Sequence, residues 1–442
     1  MIINNANRHF NNLNKIYCLI APYQAYLGFI LLRLTFDLVY VVIISPVYGY
    51  SGFLLNFFVY KYVLSWIVTL IMIPFIVNLY NNSSVSSTII LLINMIYFIP
   101  GCTLYSLSGL PDLYFFFFVL YWILLMIWQY RIPYVHFKLP SERVSKQVFY
   151  FVILVIAIGA VSISGLYNGF QINLRLDNVY ELRRIQEYMA LPSFVGYFQP
   201  LASVFLPLAL VYFLSKKRYV VSFLVIMIQI LLFSFGGMKS YLFLVPVAIL
   251  GYYFFRENRI SWFTWGLIVL NIMALFEFVS RHSYFICGYL QRRTMFVTNI
   301  NSFFFFDYFS VHRPDFLFQS ILRRFGFLSQ YDVPIPYIIG LEYYNDITCS
   351  ANNGLVGDAF CSFAWLSLII FPLIIILALR LMDACAYRID RRLLITVFVW
   401  YSLSFSNSSY FTVLLTHAFL FICFILYFMP REGIIFRKGK LL

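Results

Sequence analysis

Apolar runs follow one another along almost the whole chain, each broken by a short polar stretch before the next begins. A helix needs about 20 apolar residues to cross a bilayer. Runs at 27–45, 56–79, 88–106, 113–130, 148–167, 194–214, 219–236, 240–255, 261–279, 355–380, 393–406 and 410–429 predict twelve such helices. The last two read as a helical hairpin broken at Ser406-Asn407-Ser408-Ser409. Two connections depart from the short-linker rule. One covers 168–193; the other covers 281–354 and is crowded with arginine and aromatic residues. The expectation is a single all-α polytopic domain over 1–442 with these two loops on one side.

Composition agrees with the pattern. The chain is 62% hydrophobic and 11% charged, more apolar surface than a soluble fold of 442 residues can hide. The net charge of +14 would suit nucleic acid if it were clustered on one face. Instead the basic residues concentrate in alternate connections, the distribution that sets membrane orientation. The side holding both termini carries 19 of the 31 Lys and Arg against five acids. The other side carries ten basic and ten acidic residues. Both termini are therefore expected in the cytoplasm and both long loops outside. Arg33, Asp37, Lys61 and Glu277 fall within spans; Arg33 and Asp37, four apart, are expected to neutralise each other. The first 26 residues are mixed in character and show no cleavable leader.

The seven cysteines show no metal-binding spacing, and no metal is expected. Cys287 and Cys349 share the long loop, where an oxidising compartment allows pairing; two unpaired thiols are the plainer reading. No Asp-x-Asp, phosphate-loop Gly-Lys-Ser/Thr or Gly-x-Ser-x-Gly occurs, which removes support for a metal-dependent nucleotide-sugar site, ATP-driven transport and serine hydrolysis.

The smaller loop predicts an amphipathic helix from Asp177, with Val179, Leu182, Ile185 and Met189 on one side, lying in the headgroup plane. Its Arg183 and Arg184 read either as phosphate contacts or as ordinary interfacial charges. A second interfacial helix is expected from Arg313, with Phe318, Ile321, Leu322 and Phe325 apolar. Arg281, Arg292 and Arg293 belong to the same long loop. Guanidinium forks match phosphate oxygens, and aromatic faces pack on sugar rings. Lys239 follows two glycines at an expected outer boundary and suits either an anion or snorkelling. Asp358, Glu181, His312 and His417 are the candidate outer-face acids and bases, each also open to a structural reading.

Several local stretches resemble the Wzy-type O-antigen and capsule repeat-unit polymerases. They are Asp177-Asn-Val-Tyr-Glu-Leu-Arg, Gly236-Gly-Met-Lys-Ser, Gln291-Arg-Arg before an aromatic run, Ala351-Asn-Asn-Gly-Leu-Val-Gly-Asp-Ala-Phe and Leu414-Leu-Thr-His. Their order spans most of the chain. The Arg-x10-Gly motif that some members carry is absent, so it assigns no arginine here. The resemblance implies a GT-C-like membrane glycosyltransferase of the bacterial inner membrane that needs no cofactor. It would move a growing glycan from undecaprenyl pyrophosphate to a new lipid-linked repeat unit at the periplasmic face. Arg183, Arg184, Lys239, Arg281, Arg292 and Arg293 would then hold pyrophosphate and glycan, and a chain-length regulator and flippase become candidate partners. An O-antigen ligase and a lipid-linked oligosaccharide flippase or other transporter are the alternatives.

Overall fold

A computed structural model describes residues 23–82, 84–167, 170, 172, 174, 195–236, 240–254 and 261–431. Among these the chain is helical and has no strand. Nine helices among the described residues are long and apolar enough to cross a membrane, so the protein is of the polytopic membrane class. Of the runs predicted as spans, 219–236 and 240–255 form shorter apolar helices and 393–406 a helix of 13 residues.

In chain order the helices are α1 Tyr23–Ser51, α2 Val59–Asn81, α3 Val85–Ser108, α4 Asp112–Arg131, α5 Glu142–Tyr167, α6 Val195–Ser215, α7 Tyr219–Gly236, α8 Ser240–Phe254 and α9 Ser261–Arg281. There follow α10 at 285–311, α11 Ile335–Tyr344, α12 Leu355–Phe363, α13 Ser367–Cys385, α14 Ile395–Asn407, α15 Tyr410–Leu414 and α16 Phe419–Phe428. They form two compact units. One comprises Met1–Arg131, Asn258–Ile374 and Phe405–Ser408; the other comprises Ile132–Glu257, Ile375–Ser404 and Ser409–Leu442.

The first unit is built round α3, which is buried on every side. Apolar side chains lie along most of it, and its Ser86, Ser87, Thr88, Asn94, Thr103 and Ser106 are buried with them. Ser84 caps its start by accepting from the Ser87 amide, and Gly109, in the left-handed region at φ 72°, ends it. The in-span charges are absorbed here. Arg33 is fully buried, pairs with Asp37 at 3.0 Å and donates to Ile99 O, Ser65 Oγ and Ser106 Oγ. Asp37 also accepts from Thr103 and Tyr62. Lys61 donates to the carbonyls of Gly109 and Leu110 at the end of α3. The pairing expected of Arg33 and Asp37 is thus observed.

In the second unit, Arg431 does the work of a C-cap for two helices at once. It donates to Cys385 O and Tyr387 O at the end of α13 and to Leu426 O, Tyr427 O and Met429 O at the end of α16. Arg380 pairs with Asp383 at 2.9 Å and lies 3.8 Å over the Tyr134 ring.

Three expectations need correction. The stretch 313–325 is not a second interfacial helix: it is a series of turns ending in the 3-10 turn Leu322–Phe325. Phe316 and Leu317 sit at positive φ (53° and 65°), which breaks any helix there, and the Asp315 carboxylate accepts from Gln319 N and Ser329 Oγ. The long loop is also not a surface loop throughout. Its first part is α10, whose polar side chains reach the middles of other helices: Gln291 donates to Leu270 O and Asn271 Oδ1, and Asn299 to Tyr97 O. Lastly, the run 410–429 is interrupted at 415–418, where Ala418 takes φ 59°. The break expected at 406–409 is present as well.

Candidate functional site

The sequence-predicted residues divide into three sets. Glu181, Arg183, Arg184 and Lys239, with the helix expected from Asp177, lie outside the described residues. His417 belongs to the second unit, at the interruption between α15 and α16. Arg281, Arg292, Arg293, His312 and Asp358 belong to the first unit.

Arg292 is the best-built of these. It lies on a π-helical turn of α10, Cys287–Phe296, where the wider winding aims side chains off the α-helical stripe. Glu277, near the end of α9, holds the start of α10 in place. Its carboxylate accepts from Ser283 Oγ at 2.6 Å, Phe285 N at 3.1 Å and Ile286 N at 2.9 Å, and so satisfies amides that a helix start leaves open. Gly288 then lets the Tyr48 hydroxyl approach, since a Cβ there would lie 2.8 Å from it. Tyr48 in turn supports the guanidinium of Arg292, 4.3 Å from its ring centre, and packs edge-on against Tyr284.

No carboxylate pairs with Arg292 among the described residues, and its buried Nε has no hydrogen-bond partner there. Beside it stands Tyr344, whose phenol burial holds well above the ordinary range while Arg292 pulls it back. A neutral phenol is a donor, and Tyr344 donates to Asn301 Oδ1 at 2.7 Å; Asn301 donates onward to Asn352 O at 2.7 Å. These two bonds are made within the fold; the half-buried cation without an acid is what suits an anion here.

The Asn-Asn-Gly turn that receives this chain of bonds is packed by backbone approach. A Cβ on Gly354 would lie 2.2 Å from Phe405 O and 2.4 Å from Ser406 O. Gly354→Ala is therefore expected to destabilise the protein by about 2 kcal/mol through overpacking. A lowered thermal midpoint of the purified chain checks this, and an unchanged midpoint would mean the turn has room to move.

The other candidates are placed differently. Asp358 is buried in the first turn of α12, where Gly357 packs on Ser302. His312 is exposed, stacks on Tyr308 with ring centres 4.0 Å apart, and donates from Nδ1 to Tyr308 O at 2.8 Å. That leaves Nε2 as its accepting nitrogen. Arg281 and Arg293 are exposed. His417 Nδ1 is buried and has no partner among the described residues. Tyr48, Tyr344, Asn301 and Glu277 were not legible as site residues, because each sits in an apolar or aromatic run that reads as packing.

Cys287 and Cys349 are both free thiols. Burial pushes the Cys287 thiol up to about 12 and raises Cys349 less. Thiolate is the reactive form, and Cys287 is in addition buried away from reagents in water. Cys349 is half-exposed. A membrane-impermeant maleimide at pH 8 is expected to label Cys349 and spare Cys287 in spheroplasts, read by mass spectrometry. Labelling of Cys349 only after lysis would reverse the orientation deduced from charge.

No family model, curated protein or solved structure matches the chain. Among the described residues no group of histidine, cysteine and acidic side chains is arranged to hold a metal ion.

Proposed function

We propose that the chain is a membrane glycosyltransferase acting on lipid-linked glycans, with its site at the outer face. The particular reaction is O-antigen polymerisation. The growing glycan passes from undecaprenyl pyrophosphate to the non-reducing sugar of a new undecaprenyl-pyrophosphate-linked repeat unit, at the periplasmic face of the inner membrane. The observation that carries this reading is Arg292, half-buried, resting on Tyr48 and without an acid partner among the described residues.

The chemistry follows from that cation. The bond between the donor sugar C1 and the pyrophosphate oxygen breaks, and the leaving group takes the electron pair. Arg292, with Arg293 next along α10, offsets the charge that accumulates. The acceptor hydroxyl forms the new C1–O bond and gives its proton to a base. His312, through Nε2, and Asp358 are the first-unit candidates for that base.

The test is a lipopolysaccharide gel from a strain lacking the gene, beside the complemented strain. Core plus one repeat unit is the expected result. Core alone points to a ligase or a flippase, and an unchanged ladder overturns the surface-glycan reading.

One observation favours the transporter as a second reading. Polar groups lie at mid-helix within the first unit, where Asn271 donates to Thr35 and accepts from Gln291, and the run 410–429 is interrupted. Interrupted helices and mid-membrane polar residues are common in transporters. The core-alone outcome of the same gel is what this reading expects.

A further inference from the structure

Beyond Arg292, α10 carries a second array of side chains that it shares with α11. Tyr344, beside Arg292, packs edge-on against Phe304, ring centres 5.6 Å apart. Phe304 stacks on Tyr343 with ring centres 4.3 Å apart, and the Tyr343 phenol donates to Asp307 Oδ2 at 2.6 Å. Next along the chain, the Tyr308 ring lies flat against His312, ring centres 4.0 Å apart. Glu342 of α11 lies close enough to act on both phenols. Burial and that carboxylate hold the Tyr308 phenol above its ordinary range, and burial with the bond to Asp307 does the same for Tyr343. Both phenols therefore stay protonated. The helix that carries Glu342 and Tyr343 is fixed from behind, since a Cβ on Gly340 would strike Cys349 O.

Much of this array is uncommitted. Asp307, His312 and Glu342 are exposed. Glu342 and the Tyr308 hydroxyl make no hydrogen bond among the described residues, and Asp307 uses one of its two oxygens. Its chemistry narrows the ligand. A pyranose presents a face of C–H bonds and a rim of hydroxyls. Flat aromatic rings suit the first, and carboxylate oxygens with a free phenol suit the second. A phosphate or an acidic sugar meets two like charges instead, and an apolar ligand leaves both carboxylates without a partner.

We infer that Asp307, Tyr308, His312, Glu342 and Tyr343 form a glycan subsite that accepts neutral or amino sugars and turns away acidic ones. The inference rests on the reading above, in which Arg292 takes the pyrophosphate: the sugars joined to that group lie along the neighbouring array, which contains the candidate base His312. The two regions sort the ends of the substrate by charge, the anion at Arg292 and uncharged or cationic sugars beyond it.

The test is saturation-transfer NMR on the full chain in phosphatidylcholine nanodiscs at low salt, against empty discs. The probes are chitotetraose, its fully de-N-acetylated tetramer and tetragalacturonate, which are neutral, cationic and anionic in that order. The first two are expected to bind, and tetragalacturonate several-fold more weakly. Asp307→Asn/Glu342→Gln keeps the shapes and removes the charges, and should raise tetragalacturonate to the level of chitotetraose. Tyr308→Ala should weaken all three several-fold at an unchanged melting temperature. No binding by any probe overturns the subsite. Binding of the cationic tetramer alone overturns it in favour of an ordinary acidic patch. Tetragalacturonate bound as tightly as chitotetraose, or a preference that the double variant keeps, overturns the selection by charge. The lipopolysaccharide gel decides the glycan reading separately. A single-unit phenotype with no probe bound overturns the subsite alone, and an unchanged ladder with selective probe binding overturns the polymerase reading alone.

Discussion

Arg292→Ala is expected to abolish long O-antigen chains while the protein remains at its normal level in the membrane. Removing a pre-placed donor from a developing charge typically costs ~10²–10³ in rate, so the ladder should collapse to single units. Arg292→Lys keeps the charge but loses the planar fork and the stacking on Tyr48, and intermediate chains are expected. Arg293 is exposed and follows Arg292 on the same π-helical turn, so Arg293→Ala should be the milder change. The measurement is the chain-length ladder with transfer rates on purified lipid-linked repeat units. A normal ladder in Arg292→Ala removes this arginine from the site.

The second large effect concerns folding. Arg33→Ala leaves the Asp37 carboxylate buried without its cation, and Asp37→Ala leaves the guanidinium in the same position. Breaking one half of a buried pair typically costs about 3–5 kcal/mol, whereas replacing both halves by apolar residues of similar volume is often close to neutral. Arg33→Met with Asp37→Leu should therefore recover most of the stability that either single alanine change loses. Ser65 and Ser106 keep acceptors in Tyr62 O and Thr103 O, while Thr103 and Tyr62 lose Asp37 as theirs, so recovery should be incomplete. Thermal unfolding of the three variants decides it. A double variant no more stable than the singles would mean that the bonds from Arg33 to Ile99 O, Ser65 and Ser106 hold α1 against α2 and α3 in their own right.

The same contrast shows how far the sequence carries. Arg33 and Asp37 were readable as a pair because i,i+4 spacing on a helix is local geometry. The apolar runs were readable because hydrocarbon imposes a length and a composition on any helix that crosses it. The residues 285–311 were not readable as an embedded helix. Their arginines, asparagines and glutamine suggest a wet loop, and only the partners supplied by α3 and α9 make burial affordable. Apolar periodicity predicts a helix where the structure has the turns at 313–325. Tertiary bonds to Cys361 O and Ser362 O, with Asp315 turned to Gln319 and Ser329, won over it.

The sequence by itself determined the helical class, the course of the apolar segments, the positions of the polar interruptions and the set of chemically capable side chains. Those depend on local pattern and on the solvent each residue type tolerates. The tertiary structure decided which capable side chains are spent. Arg33, Lys61, Glu277 and Arg431 satisfy backbone or acid partners inside the fold, while Arg292 rests on an aromatic ring with no acid paired to it among the described residues. The physical reason is that a buried charge is stable only beside its complement, and complements from distant parts of the chain become neighbours only when the helices pack.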